Sequence, residues 1–119
     1  MAAHFKADKD AAVVSFLKSE GAIPMVRGNV PQFVYAGHSE NRIFGCAKNV
    51  YDETRTCGGS SGGDGALVSS KCVPFAIGTD IGGSIRSPAA CSGIIGFKPT
   101  SQRNSMQGIV VPTTSYGMP

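Results

Sequence analysis

The chain is 119 residues long, 41% of them are hydrophobic, and it carries a formal net charge of +3. This length and composition suit one small domain with a hydrophobic core. The eleven Lys and Arg residues are scattered among eight Asp and Glu residues without a basic run, a distribution that argues against a nucleic-acid partner.

The cysteines and the apolar stretches exclude two further classes. The four cysteines are 11, 15 and 19 positions apart, with no Cys-x-x-Cys pair, so we expect reduced thiols, no metal site and no disulfide framework. These residues are Cys46, Cys57, Cys72 and Cys91. No apolar stretch approaches the roughly 20 residues that span a bilayer. Membrane association through regions outside this chain stays open.

The first predicted element is a helix over Asp8–Ser19, because apolar residues recur there at helical spacing. Asp8 or Asp10 can cap its start, and Gly21 can end it. The apolar run Ala22–Val26 then predicts a buried strand. A helix followed directly by a short apolar strand favours an α/β fold, in which helices cover both faces of a sheet.

The rest of the chain alternates irregular segments with short predicted elements. Residues 28–57 indicate a long ordered loop or a set of short turns, which in a compact domain is typical of a functional segment. The elements that follow are a helix that the run Gly58–Gly63 opens and that continues through Ala66–Val68, a buried strand over Val73–Ile77, a tight turn at Gly82–Ser84, a helix over Ser87–Cys91 and an apolar segment at Ile94–Phe97. Two glycine-serine turns thus lie 24 residues apart, at Ser60 and Ser84, and could converge on one site.

The segment Asp80–Ser84 has the residue types that serine catalysis requires. A serine hydroxyl becomes a good nucleophile only when a base removes its proton, and the oxyanion that it creates needs backbone N–H donors. Gly82 and Gly83 allow successive N–H groups to turn toward an anion. A turn with a helix cap would explain this segment taken alone. However, the six consecutive Gly or Ser residues at 58–63 give more backbone freedom than a cap requires.

Three segments together resemble the amidase signature family. They are Gly58-Gly59-Ser60-Ser61-Gly62-Gly63, Gly78-Thr79-Asp80-Ile81-Gly82-Gly83-Ser84-Ile85-Arg86 and Gly96-Phe97-Lys98-Pro99-Thr100. The similarity extends upstream through Asn29-Val30-Pro31-Gln32, a form that resembles the animal fatty acid amide hydrolases more than the glutamine-amidotransferase branch. The resemblance implies a fragment of an α/β/α sandwich with a mixed central sheet, so that residues 1–119 are a partial amidase domain.

The resemblance also implies catalytic roles. In a Ser–Ser–Lys triad, Ser84 attacks the amide carbonyl, and Ser60 relays protons between Ser84 and a neutral lysine. The relay serine of this family follows a cis peptide bond, here Gly59–Ser60, and Ser61 is a supporting hydroxyl. Val34 falls at a position that lines the substrate site in the fatty-amide branch. The oxyanion hole falls on the backbone of Ile81, Gly82, Gly83 and Ser84. We expect no cofactor.

Two charged residues flank the expected nucleophile, and the base is missing. Asp80 and Arg86 are expected to pair beneath the loop and fix its shape, which requires burial, because an exposed ion pair contributes only about 0–1 kcal/mol. The family's lysine belongs upstream of the first helix, so we expect this chain to lack it, together with the carboxy-terminal part of the domain. Lys6 and Lys9 stand in a polar setting that cannot hold a lysine neutral.

The resulting hypothesis is a serine hydrolase that cleaves small-molecule carboxylic amides such as fatty acid amides. The isolated chain is expected to be inactive, and a homodimeric full-length protein stays open. One alternative is a truncated product or pseudoenzyme. Another takes Ser61 as the nucleophile in the G-x-S-x-G elbow of an α/β-hydrolase, which requires a strand at Thr54–Cys57. A third takes Gly62–Gly65 as a phosphate-binding loop, although Asp64 would place a negative charge beside the phosphate.

Overall fold

The computed structural model describes residues 7–110, which form two compact units. One unit contains the described residues up to Met25 and from Pro99 onward, and the other spans Val26–Lys98. The described elements are α1 (Ala12–Ser19), a 3₁₀ turn (Gln32–Val34), β1 (Glu40–Asn41), β2 (Gly45–Cys46), α2 (Gly62–Ser69) and α3 (Arg86–Ser92). None of these helices has the length and apolar character that a membrane crossing requires.

The helix of the first unit confirms the predicted element but not its predicted cap. α1 begins at Ala12, later than expected, and the cap position is Ala11, which makes no side-chain hydrogen bond to the helix. Asp10 instead pairs with Lys18, with 2.8 Å between Oδ2 and Nζ. The predicted end is confirmed, because Gly21 adopts a φ of +91° and its N–H donates to the carbonyl of Lys18.

Two predicted buried strands are wrong. Residues 22–26 and 73–77 have no strand pairing, and β1–β2 is the one sheet in the described part of the chain. Most of their apolar side chains are exposed, with Ile23 at 82% and Ile77 at 50%, whereas Ala22 and Val73 are half-buried. A strand requires a neighbour that satisfies its backbone hydrogen bonds, and residues 7–110 supply none for these two segments.

The second unit contains a hairpin in the segment that we expected to be irregular. β1 pairs with β2 in an antiparallel register that places Asn41 opposite Gly45. The side chain of Asn41 holds the connecting turn, because its Oδ1 accepts the backbone N–H groups of Ile43 and Phe44 at 3.0 and 2.8 Å. Asparagine commonly stabilises turns in this way. The long loop at 28–57 is therefore ordered by this hairpin and by the 3₁₀ turn.

The packing of α2 against α3 positions the two glycine-serine turns. A Cβ atom on Gly65 of α2 would lie 3.2 Å from the Cβ atom of Pro88 in α3, so the two helices approach closely. The hydroxyl of Ser69 donates to the carbonyl of Ser92 at 2.8 Å, and this bond links the last residues of the two helices. Ala89 is 5% exposed at this interface. Because each helix begins directly after a glycine-serine turn, this packing draws the turns together.

Candidate active site

The two glycine-serine turns meet through their backbones. The N–H of Ser61 donates to the carbonyl oxygen of Ser84 at 3.1 Å. Ser60 and Ser61 are buried, at 2% and 6% exposure, whereas Ser84 is half-buried. The turns thus converge, as their sequence context predicts. Among the described residues, no hydrogen bond joins the side chains of Ser60 and Ser84.

The first turn, Gly58–Gly62, has no room for side chains at its glycines. The peptide bond Gly59–Ser60 is cis, as the family resemblance implies. A Cβ atom on Gly59 would lie 2.8 Å from both the carbonyl oxygen of Ala36 and the backbone nitrogen of His38. These distances are shorter than real Cβ contacts, which essentially never fall below 3.0 Å. Close packing of the segment around residues 36–38 therefore requires glycine here.

A buried serine that the sequence analysis missed holds the same turn. Ser39 has no exposed surface, and its Oγ accepts the N–H of Gly62 at 2.8 Å. The same hydroxyl lies 3.1 Å from the carbonyl oxygen of Gly58 and 3.0 Å from that of Ser60, and it can donate its proton to either one. No local signal marks Ser39, because a serine in an irregular segment usually faces solvent.

The side chain of Ser61 forms a second link between the turns. Its Oγ lies 3.4 Å from the nitrogen and 3.5 Å from the oxygen of Thr79, the residue before Asp80. These distances are near the upper limit for a hydrogen bond. Ser61 also occupies the cap position of α2 without capping it through its side chain. Its hydroxyl is therefore used between the turns and not within the helix.

Asp80 holds the backbone of the second glycine-serine turn, residues 80–84. Its carboxylate is 1% exposed and accepts the backbone N–H groups of Gly83 at 2.8 Å and Ile85 at 3.0 Å. Arg86 adds its Nε at 3.1 Å, its Nη2 at 2.9 Å and its own N–H at 3.2 Å. The Arg86 guanidinium, helped by the three N–H donors, holds the pKa of Asp80 well below its usual range, although burial acts in the opposite direction.

The pairing of Asp80 with Arg86 agrees with the sequence prediction, but the expected burial of both side chains does not. Asp80 is buried, whereas the side chain of Arg86 is 55% exposed. The guanidinium binds the carboxylate through its Nε–Nη2 edge and leaves its remaining surface to solvent. The loop is therefore fixed by a buried carboxylate that an exposed arginine covers.

The expected oxyanion donors fall into two groups. Gly83, which has a φ of +129° that favours glycine, gives its N–H to Asp80 and does not offer it to a substrate. In the described part of the chain, the N–H groups of Ile81, Gly82 and Ser84 take part in no hydrogen bond. Three of the four expected donors therefore remain free.

The segment that contains Val34 lies beside the first turn. Val34 is half-buried with a φ of +52°, and its neighbour Phe33 is 70% exposed. Two residues further on, Ala36 contributes the carbonyl that faces Gly59. The N–H of Val34 donates to the carbonyl of Pro31 at 2.9 Å and not to the turn. The chain therefore places the backbone of residues 36–38, which follow Val34 closely in sequence, next to Gly59.

A cavity of about 400 Å³ opens next to Ser61 and is lined largely by apolar residues of α2, α3 and the segments that follow them. Asp64 is the charged residue in its lining. Burial raises the pKa of the Asp64 carboxyl, while the backbone N–H of Gly28 acts in the opposite direction. A half-buried carboxylate in the first turn of α2 disfavours a bound phosphate, so the phosphate-loop alternative gains no support.

The structure also bears on the nucleophile elbow, on the cysteines and on a metal site. The nucleophile elbow requires a strand before Gly59, but Thr54–Cys57 contains only an isolated bridge at Thr56. All four cysteines are free. Within residues 7–110, no group of three or more His, Cys, Asp or Glu side chains could hold a metal ion. Lys6, which we set aside as a base, lies outside the described residues.

Comparison with known proteins gives one family and two kinds of relative. The amidase family model matches residues 1–118. The chain is 47% identical over 115 residues to a glutamyl-tRNA(Gln) amidotransferase subunit from Legionella pneumophila, and 47% identical over 103 residues to fatty-acid amide hydrolase 1 from Sus scrofa. These matches cover 97% and 87% of the chain but only 24% and 18% of the two relatives. The chain thus spans about a quarter or less of their length.

Solved structures show the same similarity. The crystal structure of the corresponding glutamyl-tRNA(Gln) amidotransferase subunit from Thermotoga maritima superposes with a TM-score of 0.85 and 37% identity, over 88% of this chain and 23% of that chain. A component of a vestigial complex related to an s-triazine catabolic enzyme superposes with the same TM-score and 40% identity, over 89% and 23%. The α/β fold class is therefore confirmed. At the same identity, the amidotransferase subunit matches more of the chain than the fatty-acid amide hydrolase does, so the comparisons do not support the expected preference for the fatty-amide branch.

Proposed function

The chain belongs to the amidase signature family, and we propose that the protein containing it cleaves a carboxylic amide through an acyl-enzyme on Ser84. The observation that carries this proposal is the hydrogen bond of 3.1 Å from the N–H of Ser61 to the carbonyl of Ser84. It holds the turn of Ser60 and the turn of Ser84 together. A hydroxyl attacks an amide efficiently only when a proton acceptor and oxyanion donors are arranged around it beforehand.

In the proposed mechanism, the Oγ atom of Ser84 attacks the amide carbonyl carbon and its proton passes to Ser60. Ser60 in turn gives its proton to a neutral lysine, which the family supplies from a part of the protein outside residues 7–110. When the C–N bond breaks, the proton returns through Ser60 to the leaving amine. Water then attacks the ester on Ser84, and its proton passes through Ser60 to the lysine. The same route returns a proton to the Oγ atom of Ser84 as the carboxylic acid leaves.

The oxyanion of the tetrahedral intermediate is proposed to bind the second turn. The free N–H groups of Ile81, Gly82 and Ser84 support this assignment, because a preorganised donor is useful only if no protein group already occupies it. The N–H of Gly83 is given to Asp80, so Gly83 acts in this proposal through the shape of the turn. Asp80 and Arg86 are positioning residues that hold this shape.

Within this reaction class, we propose a fatty acid amide as the substrate. The identity of 47% with a fatty-acid amide hydrolase supports this choice. The exposed side chain of Phe33 and the half-buried Val34 also support it, since both lie in the segment beside the first turn and suit an aliphatic chain. The equal identity with an amidotransferase component supports a second candidate, in which the amide group of the substrate is passed on within a larger assembly.

Activity-based labelling of the full-length protein tests the proposal. A fluorophosphonate probe is expected to label Ser84, and Ser84→Ala is expected to abolish both labelling and amide hydrolysis. Labelling at another serine would contradict the assignment of Ser84, and no labelling in a folded preparation would favour the pseudoenzyme. A panel containing oleamide, a short aliphatic amide and glutamine then separates the substrate classes. Hydrolysis of oleamide supports the fatty-amide proposal, and activity restricted to glutamine supports the amidotransferase candidate.

A further inference from the structure

We propose that Ser39 is a positioning residue for the proton-relay serine, Ser60. This inference rests on the proposed function and adds a residue to its machinery. The side chain of Ser39 has no exposed surface, so hydration does not explain why a hydroxyl is found at this position. Its polar atom instead points into the turn that carries Ser60.

The hydroxyl of Ser39 is bonded to backbone groups on both sides of Ser60. On one side it lies 3.1 Å from the carbonyl oxygen of Gly58, and on the other it accepts the N–H of Gly62 at 2.8 Å. It also lies 3.0 Å from the carbonyl oxygen of Ser60 itself. One side chain therefore lies within hydrogen-bond distance of three backbone groups of a five-residue turn, accepting one N–H and donating its single proton to one of the two carbonyls. The residue between Gly58 and Gly62 is the proposed relay.

Ser39 is itself held in place, so it can transmit rigidity to the turn. It directly precedes β1, and its carbonyl oxygen accepts the N–H of Ala47, the residue that follows β2, at 2.9 Å. The Nδ2 atom of Asn29 lies 3.4 Å from the same oxygen and 3.0 Å from the carbonyl of Gly45. The hairpin thus anchors the backbone of Ser39, while its side chain anchors the turn.

The position of Ser60 matters because a relay must reach two partners at once. A hydroxyl that exchanges protons with Ser84 on one side and a lysine on the other works only with both heavy-atom separations at hydrogen-bond length. A misplacement of about 1 Å in such a group can lower a rate about 100-fold. Losing the Ser39 hydroxyl would leave the N–H of Gly62 without this acceptor and would release the carbonyl of Ser60.

The test compares Ser39→Ala with Ser69→Ala in the full-length protein. Ser69 is a matched control, because it is 7% exposed and its hydroxyl also donates to a backbone carbonyl, that of Ser92 at 2.8 Å, away from the first turn. We expect Ser39→Ala to lower kcat roughly 10- to 100-fold with KM changed less than about twofold, as loss of positioning would do. Ser69→Ala is expected to lower thermal stability to a similar extent with little change in kcat.

Two further measurements separate positioning from a general loss of structure. The rate at which a fluorophosphonate labels Ser84 should fall in Ser39→Ala and not in Ser69→Ala, measured well below both melting temperatures. Ser39→Thr, which keeps the hydroxyl, should recover most of the activity. If kcat falls no further in Ser39→Ala than in Ser69→Ala, the inference is wrong while the proposed function stands. If the parent protein is neither labelled at Ser84 nor active on any amide, both fail.

Discussion

Asp80 and Arg86 form a bidentate ion pair in which a carboxylate with 1% exposure is covered by a guanidinium with 55% exposure. An ordinary surface ion pair contributes little, because water solvates both charges well. Here the carboxylate also accepts N–H groups from Gly83 and Ile85, so its charge holds the backbone on both sides of Ser84. The arginine therefore pairs with a carboxylate that also binds backbone N–H groups on both sides of the proposed nucleophile.

Replacing this carboxylate by an amide should disturb the turn more than the same change at a surface aspartate. Asp80→Asn removes the negative charge that these N–H donors face. Because hydrogen bonds to a charged group contribute about 1.5–3 kcal/mol, we expect the free energy of unfolding to fall by a similar amount. The control is Asp52→Asn, since Asp52 also accepts from a backbone N–H and an arginine but is 41% exposed. Thermal melting of the full-length variants measures both changes. Equal shifts would show that burial of Asp80 is unimportant.

The stabilisation by Asp80 should depend on pH in a defined direction. The pKa of Asp80 is lowered in the folded state, first by Arg86, so its contribution is complete above the unfolded pKa of about 3.9. It is lost as the pH falls from there toward the lower folded pKa. The difference in melting temperature between the parent protein and Asp80→Asn should therefore be constant from pH 8 to pH 5 and shrink below pH 4. A difference that grows on acidification would mean that the sign of the shift is wrong.

The sequence predicts the helices and the convergence of the turns because local signals specify them. Gly21 ends α1 with a positive φ, and α2 and α3 each begin after a glycine-serine turn. The strands at 22–26 and 73–77 are wrong for a tertiary reason. An apolar run shows that a segment can be buried, but strand pairing requires a neighbour, and the described residues include none for them.

The side chains that hold the candidate site are only partly predictable. The pair of Asp80 and Arg86 is local in sequence and belongs to a recognisable motif, whereas Ser39 acts on groups 19 to 23 residues away. Contacts at that separation leave no periodic or compositional trace. The sequence predicts the four N–H donors of the second turn as a set. It does not predict that Asp80 accepts the N–H of Gly83, because this bond depends on the geometry of the turn.

Asp64 should show the opposite pH behaviour to Asp80. Burial raises its pKa in the folded state, so the ionised carboxylate costs stability above the unfolded pKa of about 3.9, and this cost is complete once the pH exceeds the folded pKa. Asp64→Asn keeps an oxygen that can accept the N–H of Gly28 and removes the charge. We expect this variant to melt above the parent protein at pH 7 and to lose that advantage below pH 4. A lower melting temperature at pH 7 would indicate that the charge itself has a partner.

Close packing at the start of α2 should make Gly63 intolerant of a side chain. A Cβ atom there would overlap the backbone of Asn29, including its carbonyl oxygen at 2.6 Å, which accepts the N–H of Gly63 at 3.0 Å. Overpacking of this kind typically costs about 1–3 kcal/mol, so Gly63→Ala should lower the free energy of unfolding by that amount. Gly37→Ala is the control, since nothing lies within 4 Å of its Cβ position. Denaturant unfolding compares the two, and similar losses would contradict the packing argument.

The three serines of the turns should differ in their effect on activity. Ser84→Ala removes the proposed nucleophile and should abolish measurable hydrolysis. Ser60→Ala removes the proton relay and should lower kcat about 10²–10⁴-fold, which is the typical contribution of general acid–base catalysis. Ser61→Ala should cost only about tenfold or less, because its hydroxyl makes long hydrogen bonds of 3.4 and 3.5 Å to Thr79, and a neutral hydrogen bond contributes about 1 kcal/mol. Steady-state hydrolysis of the best amide measures all three. A larger loss in Ser61→Ala than in Ser84→Ala would instead support Ser61 as the nucleophile of an elbow.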